Sequence, residues 1–404
     1  MVGPTEGSPT KAGAESRGRF VPGVWAPSPG GQTRAARQGG RYLAFVPEPI
    51  AELKLALSAE LAVDLERATL AIMRLNDGGQ GSISLEGVAR QLLRSESLAS
   101  SRIEGLSLGH RRVALAAFDE DAMDSKAADI VGNVRAMEQA IALAAKQPID
   151  STTLLSVHRT LLRFGEDEPI AGRWRESQGW IGGSNPHSAV YIPPPAAEIP
   201  ALMDDLGAFL RREDIPTLCQ AALAHAQLES IHPFIDGNGR VGRCLIHAIL
   251  RRRGLAPYYV PPVSLILSVW RDRYFAGLEE YRRRDGLHGW VAFFAEASAT
   301  AAHGAEHLSG DIQMLRETWL ARLPVLPRRD AAVRRVIAML PAHPVLDVSV
   351  VMHELGVSDR AAGAALAQLQ EAGVVRLVTK RLRGRVWECP ELFALVQEFE
   401  QGLR

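Results

Sequence analysis

Apolar positions recur with a helical period along most of this chain. The Ala/Leu-rich run from Pro216 to Ser230 predicts a helix that is easily buried. Pro233 ends this helix, because proline lacks a backbone donor and moves the preceding residue out of the helical region. A second apolar helix is predicted over residues 244–250, ending before Gly254. The twelve residues 232–243, which lie between the two runs, are therefore predicted to form a helix-loop-helix elbow.

The elbow contains residue types that are typical of phosphate-binding sites. Gly237 and Gly239 allow backbone conformations in which successive N–H groups turn inward and surround an anion. They lie at the start of the second helix, where the helix dipole also favours negative charge. Arg240 and Arg243 are three residues apart, so both guanidinium groups reach nearly the same side. The pattern indicates a site for a phosphate chain.

Two further residues of the elbow carry reactive groups. His232 has an ordinary pKa of roughly 6.5, which suits removal of a hydroxyl proton near neutral pH. Asp236 supplies the hard oxygen ligand that Mg²⁺ prefers. Each residue alone is more often structural, and it is their order in one short segment that favours chemistry.

The segment His-Pro-Phe-Ile-Asp-Gly-Asn-Gly-Arg-Val-Gly-Arg at 232–243 resembles the motif of the Fic (filamentation-induced-by-cAMP) family at every specified position. The resemblance implies a protein adenylyltransferase, which transfers AMP from ATP to a Ser, Thr or Tyr hydroxyl of a target protein. It implies that His232 is the catalytic base and that Asp236 binds Mg²⁺. The implied nucleotide-binding residues are Gly237, Asn238, Gly239, Arg240 and Arg243.

A second resemblance lies upstream, in Ser-Ser-Arg-Ile-Glu-Gly at 100–105. Ser100 and Glu104 are four residues apart and so share one helix face, and Gly105 is a suitable C-cap. The segment is similar to the inhibitory helix that precedes the core in one class of Fic proteins. This resemblance implies that Glu104 pairs with Arg243, displaces the γ-phosphate and holds the enzyme in a state of low activity.

A third segment, at 182–195, combines turn residues, a β-prone stretch and a run of prolines. An ordinary surface hairpin has the same pattern. In the Fic family a β-hairpin flap at this position covers the active site and aligns the target by strand addition. Ala189, Val190 and Tyr191 are therefore expected to provide the docking backbone.

Downstream of the motif, Tyr274 lies in a segment that resembles the Fic region closing over the adenine, and we expect it to bind nucleotide. The segment departs from the family pattern. Many relatives have an asparagine before the arginine and a Tyr-Tyr pair, whereas this chain has Trp270 and Tyr274-Phe275.

Composition agrees with a globular protein that acts on other proteins. The chain has 404 residues, 46 basic and 46 acidic, so its balanced charge argues against a global nucleic-acid-binding surface. No apolar run is long enough for a membrane span, and the N-terminus has no signal-like stretch, which favours a cytoplasmic location. The three cysteines have no metal-ligand spacing. We expect ATP and Mg²⁺ as the small-molecule requirements.

The chain divides into four predicted regions. Residues 1–41, rich in Gly, Pro, Ser and Arg, are predicted to be a disordered tail. Residues 42–120 are predicted to form a helical region with the inhibitory helix, and 121–323 the Fic core. Residues 328–404 are predicted to form a separate small domain. The predicted fold is thus mainly α, a Fic-type helical bundle with a β-hairpin flap, followed by a winged helix-turn-helix.

The C-terminal prediction rests on three helices, at 332–340, 348–355 and 360–372, and two strands within 373–387 joined by a basic turn. The third helix has few side chains that could read base edges, namely Arg360 and glutamines. A protein-contact or dimerisation role is therefore favoured over DNA binding.

Three functions stay open at this point. The first is an adenylyltransferase inhibited by its own Glu104, with another protein or the chain itself as target. The second is a hydrolase that removes AMP at the same site, with Glu104 positioning a water. The third is a nucleotide-sensing regulator that acts through the C-terminal domain.

Overall fold

Helices account for most of the residues that the computed structural model describes, which are 16–26, 39–77, 83–119, 123–378 and 384–403. The helices are α1 (Ala59–Asp77), α2 (Ile83–Ile103), α3 (His110–Phe118), α4 (Ser125–Ala144), α5 (Ser151–Leu162), α6 (Ile199–Leu210), α7 (Thr217–Ile231), α8 (Asn238–Arg252), α9 (Val263–Val269), α10 (Arg271–Tyr281), α11 (Leu287–Ala321), α12 (Ala332–Met339), α13 (Val348–Leu355), α14 (Asp359–Glu371) and α15 (Pro390–Gly402). The strands are β1 (Gly18–Trp25), β2 (Gly40–Pro47), β3 (Val345–Leu346), β4 (Arg376–Leu377) and β5 (Trp387–Glu388).

The two helices of the predicted elbow, α7 and α8, form the centre of the molecule. Nearly every residue of both is buried, as the Ala/Leu-rich pattern predicts. Helices α4 and α5 pack against α8, and α11 packs against α7. The buried indole of Trp290 donates a hydrogen bond of 2.8 Å to the Ala222 carbonyl oxygen, which satisfies its polar group inside the core. The loop between α7 and α8 is therefore fixed by two rigid elements.

Helix α11 is 35 residues long and joins the N-terminal and C-terminal parts of the fold. It packs along α1 near one end and against α15 near the other. In the ranges that the structure describes, no helix combines the length and the apolar character needed to cross a membrane.

A β-hairpin lies where the sequence predicted a disordered tail. Strand β1 pairs antiparallel with β2, with Gly18 opposite Pro47 and Trp25 opposite Gly40. Phe20 packs edge-on against Phe45, with ring centroids 5.5 Å apart. The prediction was wrong for residues 18–25, because the strand is stabilised by its partner across the hairpin and not by its own Gly- and Pro-rich composition. Residues 1–15 and 27–38 of the predicted tail lie outside the described residues.

The C-terminal helices agree closely with the predicted ones. Asp347 and Ser358 cap α13 and α14, each accepting a backbone N–H of the first turn. The three short strands form an antiparallel sheet in the order β3-β5-β4. Strand β3 was not predicted, because two residues are too few to show a pattern. Residues 379–383, which include most of the predicted basic turn, lie outside the described residues.

This C-terminal part is not separate from the rest. Its buried apolar residues belong to the same continuous cluster as those of α7 and α8. Glu391 of α15 accepts hydrogen bonds of 2.7 Å from Trp319 of α11 and from Arg322, which directly follows that helix. The Pro-rich segment at 324–327 therefore connects two parts that are packed together.

Gly132 sets the distance between α4 and α5. A Cβ atom at this position would overlap the carbonyl oxygen of Leu161. We therefore expect Gly132→Ala to lower the free energy of unfolding by about 1–3 kcal/mol, because backbone cannot move aside as a side chain can. Urea unfolding followed by circular dichroism measures this. Gly310→Ala is the control, since Gly310 lies in α11 with open space around it, and it should instead raise stability by about 0.5–1 kcal/mol. Equal effects of the two substitutions would contradict the packing argument.

Candidate functional site

The elbow begins at a residue with a left-handed backbone. His232 follows α7 with φ 49° and ψ 60°, the only non-glycine residue with positive φ in the described part of the chain. Such a conformation costs of the order of 1–3 kcal/mol and persists only where the surroundings enforce it. Arg175 does so, since its Nε donates to the His232 carbonyl at 2.8 Å and its backbone N–H to that of Pro233 at 2.8 Å. The turn points the imidazole out of the helix axis.

Asn238 closes the loop with its side chain. Its Oδ1 accepts the backbone N–H of Phe234 at 2.8 Å and its Nδ2 donates to the Phe234 carbonyl at 2.9 Å. Both ends of the amide are thus used, and Asn238 is buried. The side chain of Asn238 therefore holds the loop closed. Only its backbone is left for the expected contact with phosphate.

His158 of α5 supports the loop from behind, and the sequence analysis missed it. Its ring stacks on Phe234 with centroids 3.8 Å apart. Its Nδ1 accepts the N–H of Gly172 at 2.8 Å, so Nε2 carries the proton that is donated to the Asp236 carbonyl at 3.0 Å. Burial lowers the pKa of His158 to about 4 and keeps the ring neutral. A single histidine in an apolar helix gave no signal of this role.

The start of α8 is open to anions. Gly237 has φ 82°, which turns the chain into the helix. Arg240 is buried, and its Nη2 pairs with the half-exposed carboxylate of Asp236. Nε and Nη1 of Arg240 have no hydrogen-bond partner among the described residues. Because buried donors are nearly always paired, these two atoms point to a ligand that accepts hydrogen bonds.

Arg243 is fully buried and bonded to α2. Its Nε donates to Ser100 Oγ at 2.8 Å, and its Nη2 donates to the Ser100 carbonyl at 2.9 Å and to Glu104 Oε1 at 2.7 Å. Burial alone would lower the pKa of Arg243, but the Glu104 carboxylate beside it raises that pKa above its ordinary value. The structure thus brings together the three residues of the two sequence motifs.

Glu104 lies over the first turn of α8. A Cβ atom on Gly239 would overlap its Oε1, so only glycine lets the carboxylate come this close. Burial raises the pKa of Glu104, but the charge and hydrogen bond of Arg243, together with the charges of Arg240 and His232, oppose this, and the net shift is downward. Glu104 is therefore an anion at neutral pH, held at the helix N-terminus where anions are favoured.

The face of α2 that carries Ser100 and Glu104 extends one turn back to Glu96. Glu96 Oε1 lies 2.7 Å from His247 Nε2 of α8, and Glu96 Oε2 accepts the N–H of Ser264 at 2.6 Å. All three residues are buried. The spacing of four residues back from Ser100 could have indicated Glu96, but the sequence analysis did not include it.

His232 itself is a neutral base. Burial, and next the positive charge of Arg175, lower its pKa to about 4. Its Nδ1 is buried, while the side chain as a whole is 21% exposed. The exposed part of this side chain is therefore on the Nε2 side of the ring. At neutral pH the neutral imidazole can accept a proton.

Tyr274 lies behind Arg243, not at an open pocket. It is fully buried, its hydroxyl is 2.8 Å from His225 Nε2, and Arg243 Nη1 is 3.5 Å from the same hydroxyl. The expected contact of Tyr274 with nucleotide is not supported by this position. Its side chain instead packs against the guanidinium group of Arg243, to which α2 is bonded.

The flap is a loop closed by one bridge, between Ile181 and Tyr191, and not a hairpin of two strands. The N–H groups of Ala189, Val190 and Tyr191 are all bonded within the flap, to carbonyls of Asn185 and Ile181. A strand added here would therefore meet the carbonyls of Ala189 and Val190. Val190 is 85% exposed.

Tyr191 anchors the flap to the elbow. Its hydroxyl donates to the Ser230 carbonyl at 2.6 Å, and the Arg282 guanidinium lies 3.6 Å from its ring centre. Strand β2 adjoins the same loop, since the N–H of Phe45 donates to the Ile192 carbonyl at 2.9 Å. The N-terminal hairpin thus forms one side of the flap, which the sequence did not indicate.

No group of three or more His, Cys, Asp or Glu side chains that could hold a metal occurs in the described ranges. Asp236 is a single, half-exposed carboxylate. One carboxylate can be enough to bind Mg²⁺ that enters together with a nucleotide. This ion commonly uses one or two carboxylates together with substrate phosphates.

Comparisons with known proteins agree with this arrangement. A model of the Fic/DOC family matches residues 148–250, and a model of the Fic/DOC family N-terminal region matches residues 63–142. The curated proteins named protein adenylyltransferase Fic from Drosophila erecta and Drosophila melanogaster are each 29% identical over 226 residues, 54% of this chain and 39% of theirs. The Drosophila grimshawi protein of the same name is 30% identical over 54% of this chain and 40% of its own length.

This chain therefore spans about two fifths of the length of those curated relatives. Among solved structures, a Fic family protein from Desulfovibrio desulfuricans G20 has the same fold, with a TM-score of 0.52 and 23% identity over 83% of this chain and 97% of that one. The two matched regions contain Glu104 and the elbow over which it lies, and we conclude that this chain carries a Fic domain.

Proposed function

We propose that this protein transfers AMP from ATP to a Ser, Thr or Tyr hydroxyl of a target protein. The observation that carries the proposal is the pairing, in one rigid elbow, of a neutral His232 with an anion-binding helix N-terminus. The activity named for the Drosophila relatives supports the same reaction. Those relatives are longer than the matched region, so the activity of this chain is a proposal.

The reaction needs one base and a strong anion site. His232 accepts the proton of the target hydroxyl while the hydroxyl oxygen bonds to the α-phosphorus of ATP and the bond to pyrophosphate breaks. Nε and Nη1 of Arg240 are unpaired donors for the triphosphate oxygens. Backbone N–H groups at Gly237 and Gly239 add further donors at the positive end of α8.

Asp236 is the residue that would hold Mg²⁺, as its exposure and single carboxylate suit an ion shared with phosphates. Bound there, the ion would offset the negative charge of the triphosphate. Arg240 pairs with Asp236 in the structure, so nucleotide binding would exchange this ion pair for contacts of both residues with the ligand.

Glu104 inhibits the reaction in this proposal. Its carboxylate occupies the anion site at Gly239 and is bonded to Arg243. The terminal phosphate of ATP carries the same charge and would use the same donors. Competition for Arg243 therefore keeps the triphosphate out of its reactive position.

The target would reach the site along the flap. Val190 is exposed, and the backbone carbonyls of Ala189 and Val190 accept no backbone N–H within the described residues, so this edge is offered to an extended segment of the target. Because Tyr191 is anchored to the Ser230 carbonyl, two residues before His232, a segment bound to the flap would lie beside the base.

Removing the inhibitory carboxylate should activate the enzyme. With α-labelled ATP and Mg²⁺, we expect Glu104→Gly to label itself or a lysate protein at least about tenfold faster than wild type, the change that 1.4 kcal/mol produces. His232→Ala in the Glu104→Gly background should abolish labelling. Glu86→Gln is the control, because Glu86 lies on the same helix but pairs with Arg90 at the surface.

The outcomes separate the three functions. If Glu104→Gly stays as inactive as Glu86→Gln while ATP still binds, the transferase proposal is wrong and a sensor is favoured. If wild type instead removes AMP from a labelled protein and Glu104→Gly does not, the hydrolase is the correct function.

The role of Asp236 predicts a specific change in metal dependence. In the Glu104→Gly background, Asp236→Asn should raise the Mg²⁺ concentration for half-maximal labelling by at least about tenfold, since a charged ligand is replaced by a neutral one. EDTA should stop labelling in both. Ser177→Ala, outside the elbow, serves as the control. An unchanged Mg²⁺ requirement in Asp236→Asn would assign the metal to other ligands.

A further inference from the structure

A buried carboxylate lies beside the proposed base. Glu229 is in the last turn of α7, three residues before His232, and is 9% exposed. Its Oε2 is 3.9 Å from His232 Nδ1. Glu229 Oε1 has no hydrogen-bond partner within the described residues and lies beside Gly242, so Oε2 is the carboxylate oxygen nearer to His232. The backbone carbonyl of Glu229 also raises the pKa of His232 through a hydrogen bond. A buried carboxylate and the buried Nδ1 of the proposed base thus lie close together at the end of one helix.

Such an arrangement is costly for a purely structural residue. A buried, unpaired polar atom costs about 1–3 kcal/mol. Burial raises the pKa of Glu229 to about 7, although Arg243 opposes this. Unsatisfied buried groups with shifted pKa values are concentrated at functional sites.

We propose that Glu229 is a positioning residue for His232, acting through a hydrogen bond that the substrate complex completes. This proposal rests on the adenylyltransferase function above. The Glu229 carboxylate accepts the Nδ1 proton of His232, which leaves the Nε2 lone pair on the exposed side of the ring. The same carboxylate then stabilises the imidazolium that forms when Nε2 takes the hydroxyl proton. Glu229 itself keeps its charge throughout.

The distance of 3.9 Å suits this role before substrate is bound. Catalytic hydrogen bonds are often long without substrate and shorten in the reacting complex. The groups of other elements that face Glu229 set how readily it ionises. They are Arg243 of α8, Glu104 after α2, Arg282 after α10 and Tyr274 of α10. His225, one turn earlier on α7, has its Nδ1 near the same Gly242 as Glu229 Oε1.

The test compares Glu229→Gln with its parent in the active Glu104→Gly background. We expect kcat to fall by about 10²-fold, the size of a general-base effect, with KM for ATP changed less than about threefold. The parent should lose activity as the pH falls through the pKa of Glu229, because Glu229 becomes protonated; burial raises this pKa, and loss of the Glu104 charge moves it below the value of about 7 that it has beside Glu104. Glu229→Gln should not show this loss of activity at low pH, and Glu229→Asp should show part of it.

Gln227→Leu is the matched control. Gln227 lies on the same helix and bonds to the Glu48 carbonyl and the Tyr281 hydroxyl, away from His232. It should lower the melting temperature and leave the pH profile unchanged. An unchanged pH profile and kcat in Glu229→Gln would overturn the role of Glu229, whereas an inactive Glu104→Gly parent would overturn the adenylyltransferase.

A measurement on the Glu104→Gly protein with ATP bound and no target decides the point without turnover. ¹⁵N spectra of the His232 ring should then show the Nδ1-protonated tautomer, and Glu229→Gln should reduce its population. An Nε2-protonated ring in both proteins would contradict the proposal.

A different set of contacts joins the C-terminal domain to the inhibitory segment. Glu400 of α15 is buried, and its two oxygens bond to Arg102 at 2.8 Å and to His110 at 2.7 Å. Arg102 and His110 lie on either side of Glu104 in sequence. One carboxylate from the C-terminal helix therefore holds both ends of the turn that carries Glu104.

Two further contacts connect the C-terminal part to the same segment. Glu388 of β5 is completely buried and accepts hydrogen bonds from Arg111 at 2.7 Å and from Arg376 at 2.6 Å. Gln91 of α2 donates to the Pro341 carbonyl. The C-terminal domain thus contacts the inhibitory segment before, beside and after Glu104.

From these contacts we infer that the C-terminal domain regulates the site by holding Glu104 on Arg243. This inference also rests on the proposed function. A ligand or partner that moves α15 would release the turn after α2. Breaking a buried ion pair by removing one partner's charge destabilises it strongly, so Glu400 is the residue on which the contact depends.

Glu400→Gln tests the inference against a matched control on the same helix. Glu391→Gln removes a different ion pair of α15, which is made with Arg322 directly after α11 and not with the segment around Glu104. We expect Glu400→Gln to raise AMP labelling at least about fivefold over Glu391→Gln, and to have no effect when Glu104 is already Gly, because the two changes act on one contact.

Hydrogen exchange provides the readout without catalysis. Amides at 100–111 should exchange faster in Glu400→Gln than in Glu391→Gln. Equal exchange would overturn the inference, and so would equal activation of the wild-type and Glu104→Gly backgrounds. If Glu104→Gly itself transfers no AMP, the proposed function fails, and exchange alone still decides whether Glu400 holds the segment.

Discussion

The buried guanidinium of Arg243 is the constraint on which the site depends. A charge removed from water must find partners, and a lone α8 cannot supply them. Ser100 of α2 and Glu104 just after it supply them, which fixes that helix over the start of α8. The contact that we propose to be inhibitory is thus also a folding contact. The Glu104 carboxylate occupies the N-terminus of α8, where anions are favoured. The same contact pairs the buried charge of Arg243.

The elbow itself is rigid for reasons that are independent of α2. Asn238 and Arg175 bind backbone groups on either side of Pro233, and His158 supports the loop from α5. A loop fixed in this way keeps its N–H groups pre-oriented, which is the main requirement of transfer reactions at phosphorus. The mobile element of the site is therefore expected to be the segment that covers it.

Regulation and catalysis meet on neighbouring residues. Glu229 lies between His232 and Arg243, while Glu104 contacts Arg243 from the other side. The charges of the two carboxylates affect each other, since each raises the free energy of ionising the other. The C-terminal part contacts the segment around Glu104 at Glu400, which pairs with Arg102 two residues before it.

The sequence by itself determined the elbow between α7 and α8, the order of the C-terminal helices and the shared face of Ser100 and Glu104, because these depend on local period, on proline and on glycine. Only the tertiary structure decided which side chains meet. It placed Tyr274 in the core, turned the Asn238 amide onto its own loop and brought His158 and Glu400 to the site. The reason is physical: helix period fixes the face of a residue, whereas its partner depends on how distant helices cross.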